Sequence, residues 1–264
     1  MVLYLHIAEV FDCDRNADAP SNKKGVKNMK AKYNLTLEQN IFIAKRNIID
    51  YIWKSAKLEG LAVTYPDTEA IYNGMSVSNI KVSEIVAVNN LKYAWQFVLD
   101  NANYDIDYPY ICRINKLVGG DNLIVNAGYL RKVDVSIGGT SWKPNIPDEE
   151  PVVSELTEIL QNENATERAI DLMLYLMRSQ LFLDGNKRTA MLAANQVMIS
   201  NGCGIITIPI EEQRTFTKML VDFYETNEPA SIKEFVYNIG IDGIDFETQN
   251  SYVQEQIDNG IKFE

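Results

Sequence analysis

Apolar residues recur every three to four positions through most of this chain, and that period predicts helices. Thr36 and Gln39 form a capping box, after which Ile41, Ala44, Ile48, Ile49 and Ile52 mark one stripe of a helix that runs over 36–60 and stops at Gly60. A second helix, capped by Ser83, turns Val88, Leu91, Trp95 and Val98 inward. A turn-rich break over 101–109 separates it from a short helix, 110–118, that ends at Gly119 and Gly120. Asp148 opens a helix with Val152, Val153, Leu156, Ile159 and Leu160 at helical spacing. The next is capped by Asn164 with Glu167, and over 169–180 it is apolar on almost every side, which marks a central buried helix. A helix over 188–200, an extended link at 205–208, and helices over 210–226 and 231–239 follow, the last with a Ser231/Glu234 box. One stretch alternates with period two instead. Val133, Val135 and Ile137 interleave with Lys132, Asp134 and Ser136, and Gly138-Gly139 supplies a turn before Thr140, so a β-hairpin is predicted there. The fold class is all-α, a helical bundle with one hairpin.

Composition sets the boundaries. With 264 residues, 46% hydrophobic and 23% charged, the chain can bury a sizeable core. The helical pattern covers 35–240, leaving a peripheral arm at 1–34 with a linker-like stretch at 12–22, and an acidic tail at 241–264. No apolar run approaches the roughly 18–20 residues that cross a bilayer, and the first eleven residues, interrupted by His6 and Glu9, make a poor signal peptide, so a cytoplasmic protein without a membrane partner is expected. Cys13, Cys112 and Cys203 lack metal-ligand spacing and read as free thiols. A net charge of −11 disfavours nucleic acid as a partner, and with it a helix-turn-helix DNA reader.

The candidate chemistry lies between the two most apolar helices, in Gln180-Leu-Phe-Leu-Asp-Gly-Asn-Lys-Arg-Thr-Ala190. Asp184-Gly185-Asn186 is a sharp turn, with Lys187 and Arg188 opening the next helix. Such a turn points free backbone N–H groups and the positive end of a helix dipole into one concavity, an arrangement that holds phosphate. Asp184 adds a carboxylate for Mg²⁺. The alternative is an ordinary surface turn in a structural helix bundle with no ligand.

The ordered set Phe182, Asp184, Gly185, Asn186, Arg188, Thr189 resembles the signature of the Fic/Doc (Fido) family, His-x-Phe-x-Asp/Glu-Gly-Asn-x-Arg-Thr, and Asn186-Lys187-Arg188-Thr189-Ala190 resembles its Doc-type variant. Ser55-x-x-x-Glu59-Gly60 likewise resembles the family's inhibitory motif, and the alternating stretch Val133, Asp134, Val135, Ser136, Ile137 its flap. The resemblance covers 35–240. It implies a Fic-type bundle with a hairpin flap and an N-terminal inhibitory helix, and transfer of AMP from ATP to a hydroxyl (Ser, Thr or Tyr) of a target protein. It assigns Asp184 to Mg²⁺, Gly185, Asn186, Lys187 and Arg188 to the phosphates, Phe182 to anchoring the loop, and Ser55 and Glu59 to inhibition.

Two positions depart from the pattern. Gln180 stands where the family has its catalytic histidine, and a carboxamide has no basic site near neutral pH. Losing a general base typically costs about 10²–10⁴-fold, so weak or absent AMP transfer is expected. Met191 stands where the family's second arginine pairs the inhibitory glutamate, which leaves Glu59 to pair with Lys187 or Arg188, stay solvated or be protonated. Three readings stay open: a weakened AMP transferase, a Doc-like phosphotransferase using the γ-phosphate, and a nucleotide-binding pseudoenzyme. Self-association is left open as well.

Overall fold

The computed structural model describes residues 29–120 and 123–246, and within them the chain is mostly helical. The elements are α1 (Leu37–Arg46), α2 (Ile48–Leu58), α3 (Tyr65–Tyr72), α4 (Val82–Asp100), α5 (Tyr108–Gly119), α6 (Glu149–Leu160), α7 (Ala165–Ser179), α8 (Asn186–Ser200), β1 (Ile205–Ile206), a 3-10 turn (Ile210–Glu212), α9 (Gln213–Thr226), α10 (Ala230–Ile239) and β2 (Ile241–Asp242). His6, Cys13 and the linker-like 12–22 stretch of the arm, and the tail from 247, lie outside the described residues. Met29, at the start of the described part, is buried, and Leu35 N–H donates to Gly202 O at 2.9 Å.

α7 is the central helix, as its all-round apolar surface requires. Ile170, Leu172, Met173, Leu176 and Met177 are all buried, and its largest packing partner is α8, whose residues from Asn186 to Ile199 are buried except Lys187. α4, α5 and α6 lie around this pair, and α10 packs against α7. No helix among the described residues is long and apolar enough to cross a membrane.

The capping residues explain where sequence and structure part. Thr36 and Gln39 do form the expected box, at 2.8 and 3.2 Å. The helix predicted over 36–60 is two, because Asn47 ends α1 at φ −106° and its carboxamide bonds Tyr51 Oη at 3.3 Å. The break lets α1 pack on α8 while α2 packs on α3 and α4. α3 was missed, although Thr64 and Asp67 cap it reciprocally with Pro66 in its first turn. α4 starts at Val82 without a side-chain cap, so Ser83 is inside its first turn rather than its cap. α10 starts at Ala230 after Pro229, so the Ser231/Glu234 box does not begin it.

The expected hairpin is not a paired one. Residues 132–142 contain no strand, with a bend at Val133 and a turn at Gly138-Gly139. The reason lies in Arg131: its buried guanidinium takes the carbonyls of Val133, Pro144 and Asn145, on both arms, and draws them toward itself instead of across a ladder. The sheet among the described residues is elsewhere, an antiparallel β1–β2 pair with Ile205 opposite Asp242 and Ile206 opposite Ile241. Buried Asn195 of α8 fixes β1 by bonding both the N–H and C=O of Ile206. Asp242, in the stretch read as tail, accepts from Tyr51 Oη at 2.7 Å and closes that edge.

Candidate active site

The α7–α8 loop is shaped by two left-handed residues. Gln180 ends α7 at φ +47°, and Gly185 precedes α8 at φ +76°. A Cβ at Gly185 would meet Ile124 Cδ1 and Val118 Cγ1, each at 3.0 Å, so glycine is required both for the conformation and for the space. Between them Phe182 is buried, as expected of a loop anchor. Asn186 holds it there: its Oδ1 accepts from Phe182 N–H at 3.0 Å, and its Nδ2 donates to Phe182 O at 2.8 Å and Gln180 Oε1 at 3.1 Å. Asn186 is among the residues expected to line an anion hole, and its main-chain amide opens α8 there. Its carboxamide is consumed in holding the loop.

Asn115 supports the loop from below. Fully buried on α5, it donates to Asp184 O and to Thr189 Oγ1, both at 3.1 Å, and accepts from Gly128 N–H at 2.8 Å. No side chain caps α8. Its first-turn amides therefore stay open, at the positive end of the helix dipole.

The charges converge on the same end of α8. Arg188 is 6% exposed, yet its Nε has no hydrogen-bond partner; Glu59 Oε1 lies 3.6 Å away, and Asp184 Oδ1 lies 3.6 Å from Nη2. Glu59 Oε2 is 3.4 Å from Lys187 Nζ, which also donates to Leu58 O at 3.1 Å. Glu59 thus faces both cations, one of the outcomes left open by Met191, but it does so at ion-pair distance, and its own buried Oε1 makes no hydrogen bond. Asp184 is largely exposed, with Oδ1 accepting from Gly185 N–H at 2.6 Å.

Gln180 is held through its side chain and its carbonyl. Nε2 donates to Met177 O at 2.6 Å, Oε1 accepts from Asn186, and its carbonyl accepts from Arg131 Nε at 2.6 Å. The flap arches from Arg131 over this residue to the other side. There Glu225 of α9 receives the Thr140 hydroxyl and the Ser141 N–H, and the Arg178 guanidinium lies 3.8 Å from the centroid of the Trp142 ring.

A cavity of about 370 Å³ lies between flap, loop and α9, and it brings together most of the residues singled out in the sequence: Glu59, Val135, Ser136, Ile137, Gln180, Asp184, Asn186 and Lys187. Val133 and Asp134 are exposed, away from its wall, and Ser55 lines a separate small pocket with Met191. The far wall, Leu220, Val221 and Tyr224 of α9, was missed; burial, with Glu59 nearby, pushes the Tyr224 phenol upward. Asn115 and Arg131 were missed too, since a polar residue in an otherwise helical or loop pattern carries no sign of burial in one sequence.

The donor set bears on magnesium. Among the described residues no group of three or more Asp, Glu, His or Cys could enclose a metal. Mg²⁺ commonly uses one or two carboxylates and completes its shell with water and substrate phosphates, and exposed Asp184 at the mouth of an open helix terminus fits that sharing.

Residues 105–198 match the Fic/DOC family. That segment runs from the residues before α5 through the flap and α7 to α8, and so contains Asn115, Arg131 and the whole loop. The chain is distantly related to protein adenylyltransferases: it is 26% identical over 179 residues to protein adenylyltransferase fic-1 of Caenorhabditis briggsae and 27% to that of Caenorhabditis elegans, in each case over 63% of this chain. It spans only 34% of the length of those relatives. The fold is similar to that of C. elegans Fic-1 (residues 134–508), with a TM-score of 0.65 at 20% identity over 75% of this chain and 62% of that one. A Fic domain containing signaling protein from Bacteroides thetaiotaomicron gives 0.63 at 19% identity over 77% of this chain and 85% of that one. These likenesses establish a Fic-like fold around the Fic/DOC segment.

Proposed function

We propose that this chain binds ATP with Mg²⁺ at the N-terminus of α8, as a scaffold for transferring AMP to a hydroxyl side chain of a target protein, with turnover slowed by Gln180. The observation that carries the reading is an uncapped helix terminus that lines the cavity through Asn186 and Lys187, with buried Arg188, whose Nε lacks a hydrogen-bond partner, next in the helix behind that lining. A phosphate oxygen supplies what both the amides and the guanidinium lack. In this reading the Gly185 turn and the α8 amides cradle the phosphates. Arg188 and Lys187 neutralise them, Asp184 shares Mg²⁺ with them, and the flap presents the acceptor hydroxyl.

Preorganised positive charge is usually the larger part of catalysis in phosphoryl-type transfer, and here it is in place. Proton removal is not. Gln180 can only exchange hydrogen bonds, and its Nε2 and Oε1 each already make one, to Met177 O and from Asn186. The bound Mg²⁺ would supply charge neutralisation; the chain's own residues supply position.

A second reading, transfer of the γ-phosphate, is favoured by Met191, an apolar and buried side chain where the family resemblance puts an arginine. Calorimetry with ATP and Mg²⁺, followed by incubation with α- or γ-labelled ATP, separates the readings. Binding with α-label transferred supports AMP transfer, γ-label alone supports phosphotransfer, and binding without label supports a pseudoenzyme. Absence of binding at micromolar to millimolar ATP, including in Glu59→Gln, defeats all three.

A further inference from the structure

Arg131 belongs to neither the loop nor the cavity wall, yet its side chain joins the two. It is 2% exposed, one of the largest fully buried side chains in the molecule. Nε donates to Gln180 O at 2.6 Å, Nη1 to Val133 O at 2.8 Å, and Nη2 to Pro144 O at 3.1 Å and Asn145 O at 2.5 Å. Its main-chain N–H also donates to Leu181 O at 3.0 Å. A single planar cation therefore gathers the left-handed residue that ends α7, the outgoing arm of the flap and the returning arm.

A guanidinium is suited to this because its donors radiate in one plane at fixed angles, so satisfying four carbonyls at once fixes their relative positions. None of those hydrogen-bond partners is a carboxylate: burial lowers the Arg131 pKa and the nearby Asp134 carboxylate opposes that, while the bonds themselves fix geometry. The flap needs such a device. It has no strand ladder of its own, and its distal anchors, Glu225 and the Trp142–Arg178 stack, hold only the far arm. Gln180 passes the register onward, since its Oε1 accepts from the same Asn186 carboxamide that fixes Phe182.

We propose that Arg131 is a positioning residue that locks the flap to residue 180, setting the distance between a segment carried on the flap and the phosphate-binding terminus of α8. The lock itself rests on the geometry alone; its consequence for group transfer rests on the function proposed above.

The test uses the full chain with Arg131→Ala and Arg131→Lys. Lysine keeps the charge but concentrates its donors on one atom, which cannot span four carbonyls. Hydrogen exchange read residue by residue should show the hydrogen-bonded amides of the flap segment, at Arg131, Ser141 and Trp142, exchanging at least about ten-fold faster in both variants, with α7 and α8 amides changed less than about two-fold, as expected when charge-assisted bonds to one local unit are removed. ATP affinity by calorimetry should stay within about three-fold, because Arg131 does not touch the α8 terminus. In a Gln180→His background, incorporation of label from α-labelled ATP should fall at least about ten-fold at unchanged ATP affinity, since misplacement alone carries losses of that size. Flap exchange that stays at the parent rate, or that rises equally in α7 and α8, overturns the proposal, the first by removing the lock and the second by reducing Arg131 to a general core residue. If no variant binds ATP, the functional reading fails while the exchange data still decide the lock.

Discussion

Replacing Glu59 with glutamine isolates the most consequential contact in the site. The carboxylate lies 3.4 Å from Lys187 Nζ and 3.6 Å from Arg188 Nε, with these groups 14%, 33% and 7% exposed. At an effective dielectric of about 20, a unit pair at this distance is worth about 4–5 kcal/mol before desolvation. Most of that is offset, because all three groups have been partly withdrawn from water and the closest approaches exceed hydrogen-bond range. A phosphate entering the α8 terminus must displace or repel this carboxylate. A net competition of about 1.5–3 kcal/mol is a reasonable share of the gross attraction, and it converts to about 10- to 150-fold in affinity. Glu59→Gln should therefore tighten ATP binding by that factor in calorimetry. It should at the same time destabilise the ligand-free protein by about 1–2 kcal/mol, because Arg188 keeps only Asp184 as a counter-charge. For a chain of this size that is a fall of roughly 2–6 °C in melting temperature. The opposite signs are the signature: ATP should stabilise the variant more than the parent. Weaker ATP binding in the variant, or no change in either measurement, would refute the assignment of Glu59 as a competitor for the phosphates.

Gln180→His should raise transfer of α-label by at least about ten-fold, by supplying a group whose ordinary pKa is near 6.5; an imidazole variant that binds ATP and transfers neither label sinks the transferase reading. Gly185→Ala should cost about 1–3 kcal/mol in urea unfolding and abolish ATP binding, because it adds a Cβ at φ +76° against Val118 and Ile124; near-parent stability would contradict the geometry of the loop. Hydrogen bonds from the Thr140 hydroxyl, then the Ser141 N–H and hydroxyl, hold the Glu225 carboxyl below its ordinary range. With the folded pKa depressed, its contribution to flap order is fully present above the unfolded value of about 4.3 and is lost as pH falls through the lower folded value. Amide exchange at 139–142, corrected for intrinsic rates, should rise in that acid window in the parent but be pH-independent there in Glu225→Gln.

The loop was legible because its chemistry is local. Asp184, Gly185 and Asn186 must be adjacent for the turn to form, and a helix that starts at a glycine with no capping side chain leaves its amides open whatever surrounds it. The same holds for Thr36 and Gln39, which make their box within one turn. What failed was non-local. The period-two pattern at 132–137 is real in burial, with Val135 and Ile137 half-buried, but pairing depends on where the carbonyls go, and Arg131 takes them. Asn186 carries the right residue type for an anion site, yet its carboxamide is spent on Phe182 and Gln180, which only the folded loop reveals. Thr64 and Asp67 were a local signal that was present and passed over.

These pieces separate two jobs that one histidine would join. Residue 180 sits at φ +47°, a conformation unfavourable for any side chain but glycine, and it is held there by bonds from three directions: Met177 O within its own helix, Asn186 in the loop and Arg131 in the flap. The Arg131 bond uses the carbonyl and is indifferent to the side chain. The loop's shape therefore rests on Gly185, Asn115, Asn186 and Arg131 as well as on residue 180, whose link to the flap is through its backbone carbonyl. A base can be absent from this position while the open α8 terminus, the flap and the Glu59 contact all persist. In the function proposed above, nucleotide binding and its inhibition would then be properties of the architecture, and turnover a property of one side chain.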